Sequence, residues 1–192
     1  MLGTMLAEKT ALRTTLLSAR RATPATARSF AAERILAAVA ELLMTVRPGT
    51  VAGYVPVGSE PGGPELPNAL GPRVLLPVLL DDLDLDWAGG ALVPGPRGLL
   101  EPSGPRLGVD AIATADLVIV PALAVDHSGA RLGKGGGSYD RALARVRPGV
   151  PVVAVVFDGE FLPRVPAEPH DRPVTGVITP SGGFECLPRH VD

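Results

Sequence analysis

The sequence predicts an α/β fold. It reads as a single three-layer α/β/α domain over residues 1–192, with a central, largely parallel or mixed sheet and two N-terminal helices, residues 1–4 being allowed to be disordered. Three observations lead there. Residues 5–43 carry helical spacing and no strand pattern. From Thr50 onward the apolar residues come in short continuous runs, 117–125 and 150–157 among them, uncharged and rich in β-branched side chains. Such runs are the mark of strands buried on both faces of a sheet. Finally, 23 glycines and 21 prolines punctuate the runs without forming a repeat, as in a loop-rich globular chain.

The elements follow in order. Residues 5–21 form an amphipathic helix, with Leu6, Leu12, Leu16 and Leu17 on one broad side and Lys9 and Arg13 at i, i+4 on another. In an arbitrary helix such a cationic pair would only be solvated. A second helix starts after Pro24, buries Ile35, Leu36, Val39, Leu42 and Leu43, and stops at Pro48-Gly49. Residues 51–57 suggest a strand closed by the turn 58–63, with Glu60 at its mouth. Residues 73–80 read as a buried strand, and Leu83, Leu85 and Trp87 alternate with acids as a half-exposed one, Trp87 serving as core. A proline- and glycine-rich connection containing Glu101-Pro102 leads to the run 117–125. A helix over 138–147, stopped by Pro148-Gly149, a strand over 150–157 and a last strand near 174–179 complete the pattern.

Composition narrows the function. A length of 192 residues suffices for a real core. The net charge of −2 argues against a generic binder of nucleic acid or membrane surfaces. The single cysteine, Cys186, excludes an internal disulfide and a multi-cysteine zinc site. No apolar run approaches the roughly 18 residues that span a bilayer, and Glu8, Lys9 and Arg13 interrupt any secretion signal. The expectation is a cytoplasmic protein acting on small molecules, without nucleic-acid or membrane partners, monomeric or at most a weak dimer.

The chemistry concentrates after the run 117–125. Gly129, Gly133, Gly135, Gly136 and Gly137 fall within nine positions, interleaved with Arg131 and Lys134. Glycines let backbone N–H groups approach a ligand closely, and two cations among them suit a polyanion, so the stretch reads as a phosphate-binding loop. The plainer alternative is a flexible turn between strand and helix. Two familiar nucleotide motifs fail. Only three residues separate Gly129 from Gly133-Lys134, and Gly135 follows the lysine, so this is no Walker A loop; Ser138 stands where a dinucleotide fingerprint needs its third glycine.

A third pattern fits. Pro121-Ala122-Leu123-Ala124-Val125-Asp126, followed by Gly129-Ala130-Arg131-Leu132-Gly133-Lys134-Gly135-Gly136-Gly137-Ser138-Tyr139-Asp140, resembles the hallmark of the 5-formyltetrahydrofolate cyclo-ligases, also called 5,10-methenyltetrahydrofolate synthetases. Lys9-x-x-x-Arg13, Tyr54 with Glu60, Glu101-Pro102, Leu162-Pro163, His170-Asp171 and Val177-Ile178-Thr179 extend the resemblance over nearly the whole chain. It implies an enzyme that uses ATP and Mg²⁺ to convert 5-formyltetrahydrofolate into 5,10-methenyltetrahydrofolate, releasing ADP and phosphate through an iminium phosphate. It assigns Lys9, Arg13, Arg131, Leu132, Gly133, Lys134, Gly135, Gly136, Gly137, Ser138 and Tyr139 to ATP, with Arg131 and Lys134 as the catalytic cations. Val55, Glu60 and the loop Lys134, Gly135, Gly136, Gly137, Ser138 would face the folate, and Asp140 and Asp171 would hold the magnesium. Taken without the resemblance, Asp140 is a helix-start residue and Asp171 a turn residue.

The sequence departs from the family pattern twice. Ser138 stands where the family usually has the first of two tyrosines, a loss of stacking on the order of 1 kcal/mol. Glu160 stands where the family often carries glutamine. His170 reads as a supporting residue, since the chemistry demands no acid–base group there. Two other readings remain: a paralogue that binds nucleotide or folate without turnover, and an ATP-dependent ligase for another small amide. The retained lysine, arginines and aspartates favour the active cyclo-ligase.

Overall fold

Two helices precede all strands in the computed structural model, which describes residues 2–168 and 170–188, the first three of these as backbone only. The expectation placed on residues 1–4 thus lies outside what is described in full. Helix α1 (Leu2–Ala22) and helix α2 (Ala25–Val46) are separated by Pro24, whose fixed φ opens α2. At the end of α2, Arg47 turns left-handed (φ 50°) and donates its N–H to the Leu43 carbonyl at 2.9 Å, and Pro48 follows. Strand β1 (Val51–Ala52), helix α3 (Leu66–Ala69) and strands β2 (Val74–Leu79), β3 (Leu85–Ala88), β4 (Leu92–Pro94) and β5 (Leu100–Pro102) come next. The second half holds β6 (Leu117–Pro121), β7 (Ala124–Asp126), β8 (Arg131–Leu132), α4 (Ser138–Leu143), β9 (Val152–Val155), β10 (Phe161–Leu162), β11 (Gly176–Thr179) and β12 (Gly183–Cys186).

Seven strands form the central sheet in the order β12-β11-β9-β6-β1-β2-β3. The inner five are parallel and the two edge strands antiparallel, so the sheet is mixed with a parallel centre. Alternate residues of each inner strand feed opposite cores. Leu117, Ile119, Val153 and Val155 pack with Ile35, Val39 and Leu42 of α2, while Val118, Val120, Val152 and Ala154 join Ile112, Ala142, Leu143 and Trp87 on the other face. A sheet covered on both faces explains the uncharged runs seen in the sequence and gives the three layers expected. Trp87 is fully buried, as core packing requires. From β1 the chain moves outward to β2, whereas β6, β9 and β11 extend the opposite way. The strand order therefore reverses between β1 and β6, and in open sheets of this kind ligands bind beyond the carboxyl ends of the strands at that point.

Helix α1 is not part of these layers. Its Leu16, flanked by Leu12 and Leu17, packs on Leu123, Ala124, Leu132 and Val165, which belong to or adjoin a second sheet ordered β10-β7-β8.

Several boundaries differ from the sequence reading. The run 117–125 is not one strand: β6 ends at Pro121 and the chain crosses into β7 of the small sheet, because the Ala122 carbonyl is taken by Arg20 and the Leu123 N–H by Leu132. The expected strand 51–57 shortens to Val51–Ala52. Gly53 makes one more ladder bond, to Leu75, and Tyr54 then turns its hydroxyl to the Pro61 carbonyl at 2.6 Å. Pro56 could not have continued the ladder. Leu83 lies in a turn with φ 66° instead of a strand, the helix expected over 138–147 ends at Leu143, and the antiparallel edge strand β12 was not foreseen.

Candidate active site

Beyond the carboxyl ends of β1 and β6 lies a cleft of about 910 Å³. Its walls include Tyr54 and Val55 after β1, Pro121 to Leu123 after β6, and the loop from Arg131 to Asp140. Every residue singled out from the sequence for ATP, folate or metal lines it: Lys9, Arg13, Val55, Glu60, Arg131 through Tyr139, Asp140 and Asp171.

The loop is built by local constraints. Asp126 organises the β7–β8 turn, its Oδ1 accepting the N–H groups of Ser128 (2.9 Å) and Ala130 (3.1 Å) and the Ser128 hydroxyl (2.6 Å), and its Oδ2 accepting the Val165 N–H (2.8 Å). Burial works against the charged form of Asp126, but these hydrogen bonds outweigh it and hold the carboxyl below its usual range. Gly129 has φ 87°, and a Cβ there would lie 2.3 Å from the Val174 carbonyl oxygen, so no other residue fits. Downstream, Gly135 takes a left-handed backbone (φ 103°) that favours glycine, with the Arg13 guanidinium beside it. Arg13 also donates Nε–H to the Gly133 carbonyl at 2.9 Å, so α1 caps the loop directly.

The charged groups arrive in pairs. Lys9 Nζ lies 2.6 Å from Asp171 Oδ2 and 2.7 Å from Glu168 Oε2, and its side chain is only 4 % exposed. The cations Lys9 and Arg13 therefore do not decorate a solvated face. Arg131 Nη2 lies 2.7 Å from Asp140 Oδ1, and Lys134 Nζ lies 2.6 Å from Glu60 Oε1. Glu60 Oε2 accepts the Val57 N–H at 2.8 Å. Lys9, Arg131 and Lys134, assigned to phosphate from the sequence, thus each face an acid assigned to metal or folate, whereas Arg13 meets the Gly133 carbonyl. The buried Nε of Arg131 has no acceptor among the described residues, an unusual state for a guanidinium and one that an anion would relieve.

Electrostatics follow the pairing. Burial alone would depress the Lys9 ammonium, but hydrogen bonds to Asp171 and Glu168 outweigh it and raise its pKa. Burial would raise Asp171, yet the hydrogen bonds from Lys9 and from the Glu168 N–H hold its carboxyl low. Burial pushes the phenols of Tyr54 and Tyr139 well above their ordinary range, with the nearby Glu60 adding to it, so both remain neutral hydrogen-bonding groups.

Of the two metal-candidate carboxylates, Asp140 reaches the backbone next to Asp171, its Oδ1 also accepting the Arg172 N–H at 3.2 Å. Glu168, which no sequence signal marked, joins Asp171: ligand atoms of Glu168, His170 and Asp171 lie within 4.8 Å of one another, a group that does not include Asp140. His170 itself is exposed at the rim, 3.7 Å from Asp171. Hard carboxylate oxygens in this number suit a magnesium ion that keeps water and phosphate oxygens as its other ligands. Other cleft residues were also missed. Arg20 meets Glu160 in a buried ion pair, and Arg141 donates to the carbonyls of Leu83 (2.6 Å) and Gly136 (3.2 Å), tying the β2–β3 turn to the loop. An arginine one stripe further along the first helix was the available sign for Arg20.

A mixed α/β sheet with a cleft at its switch point, carrying paired cations and carboxylates around a glycine loop, defines an α/β enzyme built to handle a charged ligand. Comparison with known proteins supplies the particular family. The model of the 5-formyltetrahydrofolate cyclo-ligase family matches residues 5–180, and the chain belongs to that family. A 5-formyltetrahydrofolate cyclo-ligase of Mycolicibacterium smegmatis is 46% identical over 190 residues, covering 93% of this chain and 97% of that protein. The 5,10-methenyltetrahydrofolate synthetase of Aquifex aeolicus has a similar solved structure, with a TM-score of 0.78, 27% identity and 96% of each chain covered. That of Mycoplasma pneumoniae, at 19% identity and a TM-score of 0.70 over 88% of this chain and 97% of that one, shares the fold. Among the described residues no helix is long and apolar enough to cross a membrane.

Proposed function

We propose that this chain converts 5-formyltetrahydrofolate into 5,10-methenyltetrahydrofolate at the expense of ATP, releasing ADP and phosphate. The observation that carries the proposal is the single cleft in which the glycine loop with Lys9, Arg13, Arg131 and Lys134 faces Val55 and Glu60. A formamide oxygen is a poor leaving group, so the reaction needs activation. The formyl oxygen attacks the γ-phosphorus as the bond to the ADP oxygen breaks, leaving an iminium phosphate on nitrogen 5. Nitrogen 10 then attacks the same carbon, phosphate departs with the carbon–oxygen bond pair, and the proton on nitrogen 10 is lost, giving the amidinium product.

The protein's contribution is positioning and charge neutralisation. Arg131 and Lys134 would move from Asp140 and Glu60 to the transferring phosphoryl group, while Lys9, Arg13 and the loop amides hold the remaining phosphates. Asp171, with Glu168 beside it, and Asp140, which accepts the neighbouring Arg172 N–H, would hold Mg²⁺, and when bound the ion would neutralise charge on the phosphate oxygens. Freed of Lys134, Glu60 accepts hydrogen bonds from donors on the pterin ring. The test is the absorbance of methenyltetrahydrofolate after mixing the protein with MgATP and 5-formyltetrahydrofolate. Folded protein that gives no ATP-dependent product overturns the proposal; binding without product would indicate a non-catalytic paralogue.

A further inference from the structure

We propose that Arg20 and Glu160 are a positioning pair for the nucleotide half of the cleft, fixing α1 so that Lys9 and Arg13 reach the phosphates. The inference rests on the nucleotide reading of Lys9 and Arg13 given above. Residues 9, 13, 16 and 20 follow at i, i+4, i+7 and i+11, one stripe of a helix. Along that stripe Lys9 meets Glu168 and Asp171, Arg13 meets the Gly133 carbonyl, Leu16 meets the small sheet, and Arg20 meets Glu160. The first two contacts involve groups that a nucleotide and metal would re-engage. The last does not, so it is the polar anchor left in place when ligands bind.

Its geometry suits an anchor. Arg20 Nε lies 2.6 Å from Glu160 Oε1 and Nη2 lies 2.8 Å from Oε2, a two-pronged contact between side chains only 2 % and 7 % exposed. Nη2 also donates to the Ala122 carbonyl at 2.5 Å, just past the end of β6 at the switch point. Glu160 is itself held, since its Oε2 accepts the Phe157 N–H at 2.8 Å, and the Phe157 ring lies 5.6 Å from the Arg20 guanidinium carbon. Both carboxylate oxygens and three of the five guanidinium N–H donors thereby have protein partners. Apolar contacts such as those of Leu12, Leu16 and Leu17 resist separation but tolerate sliding, whereas a planar fork on a carboxylate tolerates little. A slip of one residue would rotate the helix face by about 100° and carry Lys9 and Arg13 off the loop. Buried ion pairs add little net stability compared with apolar replacements, and their best-attested use is to fix register. A glutamate at position 160, in place of the glutamine that resembles it in shape, supplies the opposite charge that buried Arg20 needs.

The test compares the parent with Glu160→Gln and with the double variant Arg20→Met/Glu160→Gln. Glutamine keeps an acceptor for the Phe157 N–H, and the double variant leaves no unpaired buried charge. Dissociation constants for a non-hydrolysable ATP analogue with magnesium and for 5-formyltetrahydrofolate are measured by calorimetry, together with melting temperature and the KM for each substrate. The double variant is expected to stay folded, bind the analogue about tenfold more weakly and raise the KM for ATP by a similar factor, as a misplaced clamp would. Folate affinity should stay within about twofold of the parent, with Glu160→Gln intermediate on the nucleotide side. A folded double variant with unchanged nucleotide affinity overturns the positioning role, as does an equal loss for both ligands, which would mean a general distortion. Should the double variant not fold, unchanged nucleotide affinity in Glu160→Gln overturns it instead. A parent that binds no nucleotide at all fails the functional reading itself, a different result from any of these.

Discussion

If Lys134 binds phosphate and Glu60 the pterin, as proposed, the Lys134–Glu60 contact should make nucleotide and folate binding interdependent. Glu60 has one carboxylate oxygen on the Val57 N–H and the other on Lys134, at 2.6 Å, so without ligands a pterin donor must compete with the ammonium for the glutamate. The Lys134 side chain is 50 % exposed and that of Glu60 8 %, which places the pair between a solvated and a buried one and its strength at about 1 kcal/mol. Phosphates compete for the lysine. Once they hold it, folate no longer has to break the pair, and its affinity should rise by about fivefold, the equivalent of that energy. Linkage requires folate to tighten the nucleotide by the same factor. Calorimetric titration of 5-formyltetrahydrofolate, with and without a non-hydrolysable ATP analogue and magnesium, measures it. In Lys134→Met the folate should bind more tightly than to the parent in the absence of nucleotide, and the coupling should fall to about one, while turnover is lost. Equal folate affinity with and without nucleotide in the parent, or undiminished coupling in Lys134→Met, would refute the reasoning.

Other expectations follow from single contacts. Ser138→Tyr should restore a ring to the cleft and lower the KM for folate roughly fivefold if the serine has cost stacking, and an unchanged value would mean the pocket is compensated elsewhere. Gly129→Ala should lower the thermal midpoint sharply, by about 3 kcal/mol of stability, because the new Cβ meets the Val174 carbonyl in a left-handed backbone; a melt within a degree or so of the parent contradicts that. Asp171 is held below its usual range despite its burial, so its contribution is present above about pH 4 and is lost as pH falls through the depressed value. Asp171→Asn should therefore have the shallower acid limb in a plot of melting temperature against pH, and identical limbs would count against the Lys9–Asp171 pair. Chelation with EDTA should abolish product formation and added Mg²⁺ restore it, whereas turnover persisting in metal-free buffer would remove the metal role of Asp140 and Asp171.

Much of the fold was legible because parallel strands buried on both faces leave uncharged runs, as at 117–121 and 152–155, and because Pro24 and Pro48 punctuate the helices. What misled was the assumption that an uninterrupted apolar run is one strand. Residues 117–125 remain apolar across the gap at Ala122 and Leu123 because both sheets demand burial there. The switch is made by hydrogen-bond partners distant in sequence, Arg20 and Leu132, which no local pattern can disclose. The short β1 has a more local cause, since Tyr54 is diverted to the Pro61 carbonyl within the turn that follows.

The site shows a similar division. Glycine spacing and the cation types were readable because they express local chemistry, backbone approach and charge. The partner of each cation was not readable. Lys9 and Asp171 are 162 positions apart, and Arg20 and Glu160 are 140 apart. That pairing changes what the residues mean. A cleft lined by unopposed cations would attract any polyanion, phosphate and nucleic acid included, and would destabilise the fold by self-repulsion. With Lys9, Arg131 and Lys134 each held by an acid, a ligand gains only by engaging both members of a pair, the cation with its phosphates and the carboxylate with a metal or a pterin donor. Phosphate alone strands Asp140 and Asp171 as uncompensated carboxylates, and metal alone strands the cations. On the proposed reading, discrimination in favour of the complete metal–nucleotide–folate set would therefore reside in the ion pairs more than in the glycine loop.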